Sequence, residues 1–330
     1  MYDLLIVGAG PIGMTCAIEA QKAGLNAIII EKGVLVNSLY HFPTNMTFFS
    51  TSKKLEIGDV PFISHNEKPT RREALEYFRR VHDSWNINVN YYEKVLNINQ
   101  LDNNIFDIQT SKGTYQSKAV AVATGFYDIA RKLNVEGEDL PKVRHYYDDW
   151  HPYIGQKVVV IGAANSACDT ALELYHKGAE VTMVIRKESL NTRVKYWIKP
   201  NIENRIKEGS IPTHFNSNLT KIEKDKVHIQ TPDGPIEIEN DFVLAMTGYE
   251  PDFEFFKTIG IDFQDDEYDT PIHDVDTLET NIPNLYIAGV INAGKYTSKY
   301  FIENTRHHAS LIISSILKKS SEAQLKIKNG

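Results

Sequence analysis

Three unbroken apolar runs, each ending at a glycine, frame this chain. Leu4-Leu5-Ile6-Val7 meets Gly8, Val158-Val159-Val160-Ile161 meets Gly162, and Ala119-Val120-Ala121-Val122-Ala123 meets Thr124-Gly125. Such runs read as strands buried on both faces, as in a parallel sheet covered by helices. After Gly8 the spacing predicts a helix over 12–23, Gly24 stops it, and Ala27-Ile28-Ile29-Ile30 is the next strand. Residues 2–32 therefore read as a complete βαβ unit. A second unit follows: a strand over 157–161, a helix to about residue 177, a stop at Gly178 and a strand over 180–185. Gly8 and Gly24 recur as Gly162 and Gly178 at the same interval, so the fold is duplicated. Between the two units, 89–99, 105–110 and 113–118 alternate like a small antiparallel meander. The Thr-Gly ending recurs at Thr247-Gly248 after the run 242–246. A last strand over 285–288 reaches Gly289-Val290, and a helix covers about 304–317. The tail 318–330 is polar and expected to be mobile. The arrangement predicts an α/β protein with one Rossmann-like domain inserted into another: 1–150 with 250–330, and 151–249.

The turn Gly8-Ala9-Gly10-Pro11-Ile12-Gly13 is G-x-G-x-x-G between a strand and a helix, with an acid, Glu31, closing the second strand. Gly8 permits the tight turn, Gly10 lets the backbone approach a pyrophosphate, Gly13 lets helix and sheet pack closely, and an acid about 20 residues on suits a ribose diol. The second turn, Gly162-Ala163-Ala164-Asn165-Ser166-Ala167, has alanine for two of the glycines. At the place of Glu31 stands Ile185, followed by Arg186-Lys187. Two cations without an acid suit a 2′-phosphate, hence NADP rather than NAD, or else they form a solvated strand end.

Composition narrows the setting. Of 330 residues, 36 are Lys or Arg and 43 Asp or Glu, a formal charge of −7, which argues against a nucleic-acid binder. Two cysteines, Cys16 and Cys168, fit a reducing cytosol rather than a disulfide-stapled secreted scaffold. The opening lacks a basic n-region, and no apolar run approaches the ~18 residues of a membrane span, so neither a secretory leader nor a membrane anchor is expected. No Cys/His spacing matches a zinc site. His307 and His308 are adjacent and project at different angles, so no metal is expected.

The layout resembles the thioredoxin-reductase branch of the two-dinucleotide-binding flavoproteins. Two features depart from it: the stretch 144–150 holds no Cys-x-x-Cys pair, and Gly289-Val290 stands where that branch has Gly-Asp. A narrower resemblance covers residues 1 to about 316. The strings 37–44, 47–50, 54–62, 138–143, 246–252, 287–291 and 301–304 are similar to those of the bacillithiol-disulfide reductase family of the YpdA type. That resemblance implies a cytoplasmic enzyme, expected to be a homo-oligomer, with FAD in the first domain and NADPH in the insert. For FAD it implies Gly8, Gly10, Pro11, Ile12, Gly13, Glu31, Lys32, Ser38, Tyr40, Thr47, Val95, Ala123, Thr124, Gly125, Gly289 and Val290. For NADPH it implies Gly162, Ala164, Asn165, Ser166, Ala167, Arg186, Lys187, Thr247 and Gly248. The acceptor would be a small-thiol disulfide or a small redox protein, with a ferredoxin or flavodoxin reductase, or a flavoprotein sensor without turnover, as alternatives. Members linked to bacillithiol disulfide carry a cysteine at the position of Ile12. Cys16, one turn further along the same helix, reads as a packed thiol before it reads as a displaced nucleophile, and Cys168 as less apt still. The aromatics Tyr40, Phe42, Phe48 and Phe49 either wall a flavin or fill the core.

Overall fold

Strand β1 (Tyr2–Val7) starts the first sheet because its alternate side chains are buried on opposite faces: Leu4 and Ile6 in one apolar cluster, Leu5 and Val7 in another. The computed structural model describes residues 1–329, with side chains described through residue 322. From β1 the chain enters α1 (Pro11–Lys22) and returns in β2 (Ala27–Ile30), parallel to β1. A short α2 (Asn37–Tyr40) leads to α3 (Arg71–Trp85). Thr70 and Glu73 form a capping box at the start of α3, and Ala74, Tyr77, Phe78 and Val81 give it a buried stripe at helical spacing. Next come β3 (Val89–Asn90), parallel to β2, and then β4 (Val95–Gln100), β5 (Phe106–Thr110) and β6 (Thr114–Val122).

The third meander strand and the buried run after it, read separately in the sequence, are one strand. β6 pairs antiparallel with β5 through residues 114–117 and parallel with β1 from Ser117 to Val122. β7 (Ile129–Ala130) carries the chain out of the first unit.

The second unit contains β8 (Val143–Arg144), β9 (Lys157–Ile161), α4 (Asn165–His176), β10 (Glu180–Val184), α5 (Lys199–Lys207) and β11 (Thr213–His214). An antiparallel trio follows, β12 (Asn218–Ile222), β13 (Lys226–Thr231) and β14 (Gly234–Glu239), and then β15 (Phe242–Ala245). β16 (Tyr249–Glu250) returns the chain to the first unit. That unit is completed by α6 (Phe253–Thr258), β17 (Leu285–Ile287), α7 (Ile302–Thr305) and α8 (His308–Asn329).

The first sheet has the order β3-β2-β1-β6-β5-β4, with β17 also paired parallel to β6. The second is a parallel sheet of order β11-β10-β9-β15-β8. These are the two Rossmann-like halves that the sequence predicts.

Two expectations need correction. The first unit comprises 1–129 and 250–330, and the second 130–249, so the insert begins near 130 rather than 151. The reason is β8, which pairs with β15 and so brings the stretch before 151 into the second sheet. The last helix, expected to end near 317, continues to Asn329, and Gly330 lies outside the described residues.

Candidate functional site

In the first unit the predicted glycines meet at the carboxyl ends of β1 and β6. Gly8 has φ +107, and a Cβ there would lie 2.7 Å from the Ala123 carbonyl oxygen, so glycine is required twice over. At Gly13 a Cβ would fall 1.9 Å from the Gly8 carbonyl oxygen, whereas at Gly10 it would meet nothing within 4 Å. Gly13 is thus set by packing, and Gly10 by open space in front of the turn. The first turn of α1 has no acidic side chain, and Gly10 gives it no side-chain cap. Its leading N–H groups are available to an anion, and these donors fit a pyrophosphate.

Glu31 is buried at 5% exposure. Its Oε2 accepts the Ala9 N–H and its Oε1 the Gly33 N–H, each at 2.7 Å. Burial pushes this carboxyl above its ordinary value, while the two backbone hydrogen bonds pull it down. The carboxylate that the sequence reserves for a ribose therefore also staples the glycine turn to the end of β2. Each of its oxygens keeps a further lone pair for a hydroxyl.

The other predicted residues of this unit differ in what they offer. Lys32 pairs with Asp128 at 2.7 Å. A Cβ on Gly125 would stand 3.8 Å from Ser38 Oγ, so those two share an edge. Tyr40 is half exposed beneath the Arg71 guanidinium, and Thr47 bridges to Thr70. Val95 is buried in the same apolar cluster as Val7 and Ile30, so its side chain serves the core. Thr124 Oγ1 is shielded from solvent with no hydrogen-bond partner among the described residues. Of the four aromatics left open by the sequence, Phe48 is buried in the core and Phe42 packs against it, while Phe49 is exposed.

Gly289 has φ +91, and a Cβ there would lie 3.4 Å from Ile12, so the Gly289-Val290 turn rests on the second residue of α1. Ile12 itself is 9% exposed. Cys16 is fully buried, and burial pushes its thiol up to about 12. Cys168 is equally buried and is also pushed up to about 12, chiefly by burial. Neither is a thiolate nucleophile at neutral pH.

In the second unit Gly162 has φ +136, and a Cβ would come within 2.5 Å of the Met246 carbonyl oxygen and 3.1 Å of the Ala167 Cβ. Ala167 can replace a glycine because Gly162 leaves room for its methyl. Ala164, the residue before α4, is exposed, and the first turn of α4 has no acid. Arg186 and Lys187 follow β10, both exposed, with neither side chain in an ion pair among the described residues. Ser166 lies half-buried in the first turn of α4. Thr247 Oγ1 donates to the Arg131 carbonyl at 2.6 Å, and Gly248, at φ +92, accepts the Arg131 N–H at 3.0 Å.

Sequence reasoning missed what Asn165 does. Its Nδ2 donates to the Arg193 carbonyl at 3.2 Å and its Oδ1 accepts the Lys195 N–H at 2.8 Å. The Asn191 N–H bonds to the Ala163 carbonyl at 2.9 Å. The loop 191–195 is thereby clipped onto the second glycine turn. Contacts about thirty residues apart leave no local pattern by which to read them.

Residues 5–289 match the family described as pyridine nucleotide-disulphide oxidoreductase. Bacilliredoxin reductase Bdr of Bacillus subtilis (strain 168) is 45% identical over 318 residues, which span 96% of this chain and 98% of that protein. The bacillithiol disulfide reductase Bdr (YpdA) from Staphylococcus aureus is similar in structure at a TM-score of 0.94 and 44% identity, covering 96% of this chain and 98% of the other. The thioredoxin reductase of T. acidophilum, at a TM-score of 0.75 and 21% identity over 97% of this chain and 98% of its own, shares the fold. With two glycine turns opening two Rossmann-like halves, and with that match across most of its length, the chain belongs to the pyridine nucleotide-disulphide oxidoreductase family of enzymes.

Proposed function

We propose that the first unit holds FAD and the second NADPH, and that the enzyme reduces the disulfide of a low-molecular-weight thiol of the bacillithiol type in the cytosol. The observation that carries the cofactor reading is a difference between the two glycine turns. One ends at a buried carboxylate, the other at two exposed cations. In the first unit Gly8, Gly10, Gly13 and the start of α1 would take the pyrophosphate and Glu31 the adenosine ribose. Ser38, Tyr40, Thr47, Ala123, Thr124, Gly125, Gly289 and Val290 would line the rest of the FAD site. In the second, Gly162, Ala164 and Ser166 would face the NADPH pyrophosphate, Arg186 and Lys187 the 2′-phosphate, and Thr247 and Gly248 the far end.

When bound, the flavin supplies a two-electron relay between nicotinamide and acceptor. NADPH gives up a hydride and becomes NADP⁺. The disulfide takes those two electrons and two protons, one from the hydride and one from solvent, and separates into two thiols. The chain's task is placement. Its own thiols are buried and protonated, and Ile12 stands at the family's cysteine position, so electrons pass without an enzyme thiol. The disulfide acceptor rests on likeness to the bacilliredoxin reductase.

The absence of an accessible thiol among the described residues favours, as a second reading, a ferredoxin- or flavodoxin-type acceptor. Anaerobic reduction of the purified protein by NADPH, followed by mixing with bacillithiol disulfide or with ferredoxin, tests both. Flavin reoxidation by the disulfide at a catalytically competent rate is expected. Reoxidation by ferredoxin alone would establish the second reading, and a protein without flavin would overturn both.

A further inference from the structure

The turn after β17 is held from behind by a histidine that the proposed chemistry does not use. β17 lies along β6, and the Ala288 N–H still bonds to the Val122 carbonyl at 2.9 Å. One residue later the chain leaves the sheet. Gly289, at φ +91 and ψ −149, adopts a conformation that only glycine holds without strain. Its N–H is buried and can no longer bond along the sheet. It donates instead to Nδ1 of His308, in the first turn of α8, at 3.1 Å. His308 is itself 4% exposed. Its ring is flanked edge-on by Tyr300 and His307, with centroids 5.7 and 4.9 Å away. Burial is the main cause that pushes His308 down to about 4, so at neutral pH the imidazole is neutral. An Nδ1 that accepts an N–H carries a lone pair, which puts the proton on Nε2. On its other side the turn rests against Ile12 of α1.

We propose that His308 is a positioning residue: its Nδ1 fixes the Gly289-Val290 turn against Ile12 and so sets the backbone surface on which the flavin lies. The flavin half of this statement rests on the proposed function, whereas the clamp on Gly289 stands independently. The residue after Gly289 is an apolar valine, with no side-chain charge to fix the turn from the front. The hydrogen bond from behind supplies that restraint.

Three variants test the clamp. The Oδ1 of an asparagine falls close to where a histidine Nδ1 lies, so His308→Asn keeps the acceptor, and His308→Leu removes it. In the purified protein, hydrogen exchange of the Gly289 amide should quicken by about tenfold or more in His308→Leu and return towards the parent rate in His308→Asn. Retention of FAD through gel filtration and the shape of the visible flavin spectrum should follow the same order. Should His308→Leu fail to fold, His308→Gln replaces it, because its amide reaches the place of Nε2 and leaves Gly289 unpaired. Unchanged Gly289 exchange in His308→Leu, or equal loss in the asparagine variant and its partner in the comparison, overturns the clamp. A parent protein that purifies without FAD overturns the flavin reading instead, and the exchange comparison still decides the clamp.

Discussion

Replacing Glu31 by alanine should destabilise the protein even before any cofactor is considered. The carboxylate receives two backbone N–H groups at 2.7 Å, from Ala9 and Gly33. Hydrogen bonds to a charged acceptor contribute about 1.5–3 kcal/mol each. Burial opposes them, and it dominates, since this carboxyl is raised above its usual value. A raised carboxyl means that ionisation costs more in the folded chain than in the unfolded one. Its contribution to stability is therefore greatest below the ordinary value of 4.5 and declines as pH rises through the raised one. The loss on truncation is accordingly set less by the charge than by the donors left behind. Ala9 is fully buried, and its stranded N–H should cost about 1–3 kcal/mol. Gly33 is half-buried, so its N–H can turn to water. Urea unfolding of flavin-free parent and Glu31→Ala, followed by a signal from the first unit, should show a loss of that size at pH 7. Glu31→Gln should recover only part of it, because one end of the amide would present a donor to a donor. FAD titration should show a further weakening of about 1–3 kcal/mol from the lost ribose contact. Equal unfolding midpoints for parent and Glu31→Ala, with only FAD binding impaired, would refute the dual role and leave Glu31 a ligand residue alone.

Two glycines of the same turn should separate cleanly. Gly13→Ala drives a Cβ to 1.9 Å from backbone and should cost about 3 kcal/mol or more, read as lost soluble yield. Gly10→Ala meets nothing and should fold normally while losing flavin. The double variant Arg186→Ala, Lys187→Ala should raise the Michaelis constant for NADPH by about 10-fold or more and leave that for NADH nearly unchanged; equal damage to both would mark the pair as structural. Cys16→Ala with Cys168→Ala should keep flavin reduction by NADPH and most turnover with the acceptor; lost turnover in that variant, or a mixed disulfide trapped on Cys16 of the parent protein, would contradict this. Because His308 is lowered from 6.5 to about 4, the folded chain resists a proton that the unfolded chain accepts. Stability should fall by about 3 kcal/mol as pH drops from 6.5 to 4, and His308→Asn should flatten that slope in urea titrations.

The parts legible in the sequence were those whose cause is local. The first βαβ unit lies in one continuous stretch, and its glycines answer to contacts within that stretch or with the next buried run. The second unit was readable despite its alanines because strand, turn and helix kept their order. The start of the insert was misplaced because β8 is only two residues long and has no periodicity of its own. The helix α3 escaped notice because its buried stripe mixes alanine, tyrosine, phenylalanine and valine among many charges. The antiparallel trio β12 to β14 alternates as a meander should, in strands of five or six residues, and went unread. Glu31 was read for its chemistry but not for the turn it braces, and His308 only as a neighbour of His307 that forms no metal pair with it. In both cases the deciding partner is a backbone amide about twenty residues away, which no spacing rule reveals.

The burial of both cysteines has a consequence beyond the route of the electrons. Peroxide attacks thiolates, and burial, which pushes both thiols up to about 12, keeps them protonated at neutral pH. Packing also keeps the oxidant from reaching either sulfur. Disulfides accumulate when peroxide is abundant, the condition under which a reductase built on a reactive cysteine risks over-oxidation to sulfinic acid. Here isoleucine occupies the first turn of α1, itself buried, and the sulfur sits one turn further along the helix, so the described part of the chain offers peroxide no thiolate to inactivate.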